Sequence, residues 1–275
     1  MLDAPAPPTL PALAHRELTY TFEYTAASIV PEDADGRAYA WLLHNELELP
    51  LLPRKWYVGA AFDSATGFIP GVGNATLLGN PELFGRGLWS SVLGLSSGGG
   101  LGIVLPVPRD LDERDTEVLR SVRTIRPWDA AYFDDLTLTF RPFFDIRHVV
   151  GRFIIQLRQG IDVSVFLRQL GSDRRSELSA RATLYVGYRV AQPVGVGFEL
   201  WEVYQVTRQN LEDGERAAFT MSPSIRFILP RVQPALSLLF PVATPLRGDV
   251  EGYFGARLNV GFTWDVWGTS DSTSP

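Results

Sequence analysis

The chain has 275 residues, of which 45% are hydrophobic and 20% are charged, a composition that excludes a natively disordered chain. Its formal net charge is −6 and no compact block of lysine and arginine stands out, so we expect no nucleic-acid partner. The absence of cysteine excludes a disulfide framework, and no apolar run approaches the roughly 18 to 20 residues that a membrane-spanning helix needs.

The N-terminal segment differs in composition from the rest of the chain. Residues 2–16 are rich in Pro and Ala, which predicts an extended tether. No secretory signal peptide is present, because Met1 is followed directly by Leu-Asp-Ala-Pro-Ala-Pro-Pro. For an exported protein we therefore expect the numbered chain to be the mature form with an added Met1.

Period-two alternation of apolar and polar residues follows the tether and recurs along the chain. In the first segment the apolar residues are Leu18, Tyr20, Phe22 and Tyr24. In the last segment they are Phe254, Ala256, Leu258, Val260, Phe262, Trp264 and Val266. Because successive side chains of a strand point to opposite faces, each segment has one apolar and one polar face. The pattern predicts an all-β protein.

Segment length separates a membrane barrel from a soluble sheet. Strands of soluble proteins usually run for about 5 to 6 residues, whereas a tilted strand that crosses a bilayer needs about 9 to 11. The predicted strands are 17–29, 39–52, 55–65, 82–95, 99–108, 131–144, 149–168, 178–190, 194–207, 217–229, 234–243 and 250–267. We therefore predict a transmembrane antiparallel up-and-down β-barrel of about 12 strands, with about 10 or 14 as alternative counts. A soluble pair of β-sandwiches is the main alternative fold.

The predicted connections alternate in length. The short ones are Pro53-Arg54, Ser96 to Gly98, Asp145 to His148, Ala191 to Pro193 and Pro230 to Gln233, and the glycine run 98–100 is assigned to a tight turn. The longer ones lie near 30–38, 66–81, 109–130, 169–177, 208–216 and 244–249. Short periplasmic turns and long outer loops are typical of bacterial outer-membrane barrels. We expect residues 1–16 to be a periplasmic tether, 17–267 one barrel domain in the outer-membrane lipid, and 268–275 a flexible tail.

The longest connection carries a helical pattern. Between residues 110 and 126 the apolar residues recur at helical spacing, at Leu111, Val118, Leu119, Val122 and Ile125. This spacing predicts an amphipathic helix of about three turns. A gate over the barrel mouth, a segment on the outer leaflet, a docking site for a partner and a plain cover of the rim are all compatible with it.

Charged residues occupy the polar faces of the predicted strands. The candidates for lumen and solute-binding positions are Glu23, His44, Glu46, Glu48, Arg86, Arg141, Arg158, Arg181, Arg189, Glu199, Arg226 and Arg257. Arginine side chains along a wet lumen would attract anionic or polar solutes. Alternatively, arginine and carboxylate neighbours pair across a narrow lumen and fill it. The sequence leaves both interpretations open.

Residues suited to catalysis or metal binding are sparse. The three histidines, His15, His44 and His148, have no serine at a spacing that suits a nucleophile and its base, so we predict that the protein is not an enzyme. Glu46 and Glu48 share a strand face, but two carboxylates alone match arginine more often than a metal. We expect no metal and no other cofactor.

Two stretches carry a resemblance to known proteins. The segment from Gly79 to Trp89, followed by Gly102 to Pro106, is similar to the outer-membrane transporters grouped with the MetA pathway of phenol degradation. The resemblance implies a barrel of similar length and uptake of small, often apolar molecules. The segment from Phe254 to Trp267 also resembles the closing strand of outer-membrane barrels, although residues 268–275 follow its final aromatic residue.

Two functions are compatible with these features. The leading hypothesis is passive or facilitated uptake of a small solute of unknown identity, with a charged lumen and with residues 110–126 as the gate. The rival hypothesis is a non-transporting barrel that anchors an envelope complex and reaches a periplasmic protein through residues 2–16. A continuous lumen would favour transport, whereas a filled lumen with an apolar patch on the loops or tether would favour the anchor.

Overall fold

The long alternating segments form antiparallel strands in a computed structural model, which describes residues 17–31, 36–52, 55–90, 95–167, 175–207, 216–243 and 250–265. The strands are β1 (Glu17–Pro31), β2 (Ala38–Leu52), β3 (Trp56–Ile69), β4 (Gly73–Leu78), β5 (Glu82–Ser90), β6 (Leu95–Val104), β7 (Thr137–Val150), β8 (Phe153–Phe166), β9 (Ser176–Ala191), β10 (Val194–Gln205), β11 (Ala217–Phe227), β12 (Val232–Pro241) and β13 (Val250–Asp265). Between β6 and β7 lie helix α1 (Glu113–Ile125) and a 3₁₀ helix (Pro127–Phe133). The predicted tether 1–16 and tail 268–275 lie outside the described residues.

Among the described residues, twelve of these strands close into a barrel. Each strand from β5 to β13 pairs with its neighbour in the chain, and β13 pairs with β1, where Tyr20 lies opposite Phe262. The remaining element, β4, pairs with the half of β3 nearest the β3–β4 loop, while β5 pairs with the other half. The predicted up-and-down barrel of about 12 strands is therefore confirmed, with β4 as one extra strand.

The outer surface of the barrel is apolar. On β13 the side chains of Phe254 and Trp264 are 49% and 48% exposed, while the alternating residues Arg257 and Asn259 are buried inside. Exposed apolar side chains on every second residue are suited to contact with lipid. The closed ring also leaves no strand edge with unpaired backbone groups in the bilayer. This exterior and the closed ring are the β-architecture of bacterial outer membranes, which confirms the predicted location.

Aromatic residues mark the ends of the barrel. Trp56, Trp89 and Trp264 are exposed near the end that carries the short turns. At the opposite end Tyr39 stacks on Trp41, with their ring centroids 6.5 Å apart. Amphipathic rings at both ends are typical of the two membrane interfaces. No helix in the described part of the chain is long and apolar enough to cross a membrane.

Four predicted boundaries were wrong. Residues 98–100 lie within β6 and not in a turn, and the predicted loop 66–81 contains β4. The predicted turn at 145–148 belongs to β7, since the chain reverses at Gly151, whose φ of 58° suits glycine. The predicted strand 131–144 begins only at Thr137, after the 3₁₀ helix.

The glycines of β6 leave room for larger side chains of its neighbour. Gly98, Gly100 and Gly102 point inward, beside the inward side chains of β5. A Cβ atom at Gly102 would overlap the carboxylate of Glu82, and one at Gly100 would lie 2.8 Å from Cβ of Arg86. Glycine is therefore required here by packing and not by a turn.

We expect Gly102→Ala to destabilise the barrel. The added methyl group must displace the buried Glu82 carboxylate, and overpacking of this kind costs about 1 to 3 kcal/mol. Urea unfolding in detergent measures the difference, with Gly261→Ala as the matched control because a Cβ there meets nothing within 4 Å. Equal midpoints for the two variants would contradict the packing argument.

Candidate functional site

The connection between β6 and β7 contains the predicted helix. Helix α1 begins after Asp112, whose side chain accepts a hydrogen bond from the Asp115 backbone at 2.9 Å, and the Asp115 side chain accepts one from the Asp112 backbone at 3.2 Å. It ends at Ile125, within a residue of the predicted limit. The amphipathic helix that the sequence predicts is thus present. We call residues 105–136 the plug.

The apolar face of α1 packs inside the barrel. Val118 and Val122 are fully buried, and the helix contacts β2, β3, β4 and β13. Those strands present small inward residues at the contact, among them Ala40 and Ala65, and Gly67 lies directly under Val118. The plug therefore lies within the lumen and covers one side of it, and neither the outer leaflet nor the outside of the rim holds this helix.

The 3₁₀ helix continues the plug towards the middle of the lumen. Trp128 packs against Trp201 of β10, with ring centroids 4.1 Å apart. On β13, the guanidinium of Arg257 lies 4.7 Å from the centre of the Trp201 ring. The tilted indole pair and the guanidinium beside Trp201 fix the position of the 3₁₀ helix against β10.

Ion pairs connect the plug to the barrel wall. Arg126, which ends α1, contacts Glu23 of β1 at 2.8 Å and also the carboxylate of Asp129. Arg141 of β7 donates to the Trp128 carbonyl at 2.9 Å and lies 3.8 Å from Asp129. All these charged groups are buried. We call the contacts of Arg126 and Asp129 with the wall the latch.

The electrostatics of the latch favour its charged form. Burial raises the pKa of Asp129, but the guanidinium groups of Arg126 and Arg141 outweigh it and hold that pKa below its ordinary value. Burial alone would lower the pKa of Arg126, and the Asp129 carboxylate reverses this and raises it.

Burial and the Glu82 carboxylate raise the pKa of Tyr132 well above its usual range. Tyr132 therefore stays protonated and donates to Glu82.

Asn80 fixes both ends of the plug. Its side-chain amide donates to the carbonyls of Ala131 at 3.2 Å and Asp134 at 2.7 Å. Its oxygen accepts from the Val107 backbone at 3.1 Å and from Arg109 at 2.8 Å. The break between β4 and β5, which the sequence placed in a loop, is thus where the wall holds the plug.

Paired charges fill the lumen below the plug. Arg86 forms a two-point contact with Glu48, at 2.5 and 2.6 Å. Arg257 contacts Glu199 at 2.8 Å and donates to Ser237 at 2.9 Å. These groups are almost completely buried, so they occupy this part of the lumen in the state that the structure describes.

All the predicted lumen residues occupy inward positions of their strands. They are Glu23, His44, Glu46, Glu48, Arg86, Arg141, Arg158, Arg181, Arg189, Glu199, Arg226 and Arg257. Arg158 pairs with Asp145 at 2.8 Å, and Arg181 with Asp162 at 2.8 Å. The role of the set in solute binding stays a prediction.

His44 belongs to a polar group beside the plug. Its Nδ1 lies 2.5 Å from Asp63 and its Nε2 lies 3.8 Å from Glu46. The imidazole faces the Tyr132 ring, with the centroids 5.9 Å apart. This histidine thus lies in a hydrogen-bonded network within the barrel.

A cavity of about 70 Å³ lies between the plug and the inner faces of β8 and β9, and Gln205 of β10 closes its edge. It lies in the half of the barrel that carries the long connections, opposite the strands that α1 covers. Its lining residues are Arg120, Arg123, Thr124, Pro127, Ala130, Ala131, Asp134, Asp162, Ser164, Glu177, Ser179 and Gln205. We call this space the vestibule. Its volume has room for several water molecules, and its lining is mostly polar.

Four residues of this region were not among the predicted site residues. Asp63 and Glu82 are inward positions of β3 and β5, so their strand phase was the signal that could have found them. Arg126 and Asp129 lie in the plug, where no periodicity indicates that a loop folds inward. The latch could therefore not be found from the strand pattern.

Comparison with known proteins gives a likeness in fold. No protein-family model and no curated protein matches the sequence. The crystal structure of an outer membrane channel from Pseudomonas putida F1 is 12% identical, with a TM-score of 0.69 over 94% of this chain and 99% of that chain. The NanC porin structure is 11% identical, with a TM-score of 0.56 over 90% of this chain and 100% of that chain. The chain has the fold of outer-membrane channels, and its resemblance to the MetA-pathway transporters stays a prediction.

Proposed function

We propose that the protein admits small polar solutes through the barrel and that the plug is the gate. The vestibule carries the proposal, because it is a polar space on the side of the lumen that the plug leaves uncovered. A solute that arrives from outside would occupy this space before it reaches the filled part of the lumen.

Movement of the plug is a necessary part of this function. Below the vestibule, buried ion pairs such as Arg86 with Glu48 and Arg257 with Glu199 occupy the lumen. The plug packs closely against β2, β3 and β4 and contacts β10 through Trp128, but it faces the vestibule towards β8 and β9. In this proposal, release of the latch lets the plug move away from β2, β3 and β4, and the hydrogen-bonded wall stays as it is.

The lining of the vestibule favours polar solutes over the apolar molecules that the family resemblance implies. Arg120 and Arg123 lie on the plug side, and Asp162 and Glu177 lie on the strand side. Charged groups of both signs keep such a space hydrated and favour solutes that can hydrogen-bond. The rival role as an anchor depends on residues 2–16, which lie outside the described residues.

Filling the vestibule should slow uptake. In Ser179→Trp the indole would project into the cavity, and we expect a several-fold lower rate of liposome swelling with small polar solutes. Ala180→Trp is the matched control, because its side chain is on the outer, lipid-facing side of the same strand.

The same liposomes separate the competing outcomes. Wild-type protein that folds and inserts but never permits swelling or conductance would overturn the transport proposal. Equal slowing by Ser179→Trp and Ala180→Trp would mean that the solute does not pass through the vestibule, because the effect would then come from a general change in the barrel.

A further inference from the structure

Two arginines flank a glycine near the end of the lumen that carries the short turns. Arg189 of β9 and Arg226 of β11 both lie opposite Gly195 of the intervening strand β10. All three positions face inward, and the glycine contributes no side chain. Neighbouring strands are about 4.8 Å apart, so the two arginine Cα atoms are about 10 Å apart. That spacing leaves room for one small group between the two guanidinium groups.

In the described part of the chain, Arg189 has no carboxylate contact of the kind that Arg86 and Arg257 have. Its side chain is 8% exposed, and its Nε and Nη1 atoms have no hydrogen-bond partner within the described residues. By contrast, Arg86 and Arg257 each contact a carboxylate within 3 Å. A buried cation without a partner is costly, so such a group implies a partner that is not part of the described chain.

Tyr185 places a hydroxyl group beside the same pair. Its ring lies across Gly187 and Gly197, which are opposite each other on β9 and β10, and a Cβ atom on either glycine would overlap it. The next inward position of β10 is Gly195, so the hydroxyl lies one inward position from the gap between the arginines. The side chain of Tyr185 is itself buried.

We infer that Arg189, Arg226 and Tyr185 form a binding site for an oxyanion, a carboxylate or phosphate group, at the periplasmic end of the lumen. Each of the two guanidinium groups can donate two parallel hydrogen bonds to an oxyanion, and the Tyr185 hydroxyl is the third donor group. Gly187 and Gly197 make room for the Tyr185 ring, and Gly195 leaves the space that the anion fills. The inference rests on the proposed transport function where it concerns the solute. The transported solute would then be an anion, and this site would be the last that it occupies before release into the periplasm.

Calorimetric titration of the detergent-purified protein tests the site without any need for conduction. Inorganic phosphate and acetate are the two probes, each at constant ionic strength. We expect the wild type to bind at least one of them, and Arg189→Gln and Arg226→Gln each to weaken binding about tenfold or more, because a hydrogen bond to a charged group is lost. Arg231→Gln is the matched control: Arg231 is exposed in the β11–β12 turn at the same end, and this variant should bind like the wild type.

The outcomes distinguish the site from the transport proposal. Binding of both anions would indicate a general oxyanion site, and binding of phosphate alone would indicate a phosphoryl group. No binding by the wild type, or equal weakening by Arg231→Gln, would overturn the inference. A protein that binds phosphate but never conducts would support this site and overturn the transport proposal. A protein that conducts but binds neither anion would support transport and overturn this site.

Discussion

A disulfide between positions 67 and 118 is expected to abolish solute flux through the barrel, and its reduction is expected to restore it. A Cβ atom at Gly67 would lie 3.3 Å from Cβ of Val118, close to the usual disulfide range of about 3.5 to 4.5 Å. The chain has no cysteine, so Gly67→Cys with Val118→Cys introduces a single possible pair. This bond would fix α1 to β3 and hold the plug in its closed position.

Single-channel recording in planar bilayers measures this effect. Conductance steps should be absent from the oxidised double variant and should return after addition of dithiothreitol. The two single-cysteine variants control for the substitutions themselves and should conduct under both conditions. If the cross-linked protein conducts like the wild type, the plug does not move during transport, and the gating part of the proposal fails.

Loss of the Arg126 contact of the latch should have the opposite effect. In Arg126→Ala the plug loses its ion pair with Glu23 of the wall, and breaking a buried ion pair costs about 3 to 5 kcal/mol. Glu23 keeps weaker contacts with Arg257 at 3.9 Å and Asn259 at 3.4 Å, so its charge is not left without a partner. We therefore expect a cost near the lower end of that range, about 3 kcal/mol. Because about 1.4 kcal/mol corresponds to a tenfold change in an equilibrium constant, the population of the state with the plug released should rise roughly a hundredfold. We expect a marked rise in open probability.

Arg114→Ala is the matched control for this variant. Arg114 lies on the same helix, but its side chain is 61% exposed and its carboxylate contact, with Asp112, is 3.9 Å long. Exposed pairs of this kind contribute little. Open probability should therefore match the wild type in Arg114→Ala and rise only in Arg126→Ala. A rise in both, or in neither, would mean that the latch does not hold the gate closed.

Strand phase was predictable because the exterior of the barrel is regular. The apolar residues of β13 alternate without interruption, and this alone places Arg257 and the other lumen candidates on the inner face. Turn positions were less predictable. The glycines of β6 look like a turn in isolation, and only the neighbouring Glu82 and Arg86 explain why a strand needs them.

The pairing of charges depends on tertiary structure. The sequence offers several carboxylates for Arg141, and the choice of Glu82 and Asp162 follows from strand register and from the position of the plug. The helical period predicts α1 but contains no information on which surface receives it. The latch and the vestibule are consequences of that docking, and for this reason they were not predictable from periodicity.

The plug also has a consequence for how the chain folds. The ring closes where β1 meets β13, the first and last strands, and this pairing joins residues almost a full chain length apart. Contacts of such high sequence separation have a large loop-closure entropy cost. Helix α1, from the middle of the chain, packs on β2 and β13, and Arg126 binds β1. The plug thus contacts the strands on both sides of the β1–β13 junction, so docking of the plug and closure of the barrel support each other as one cooperative event.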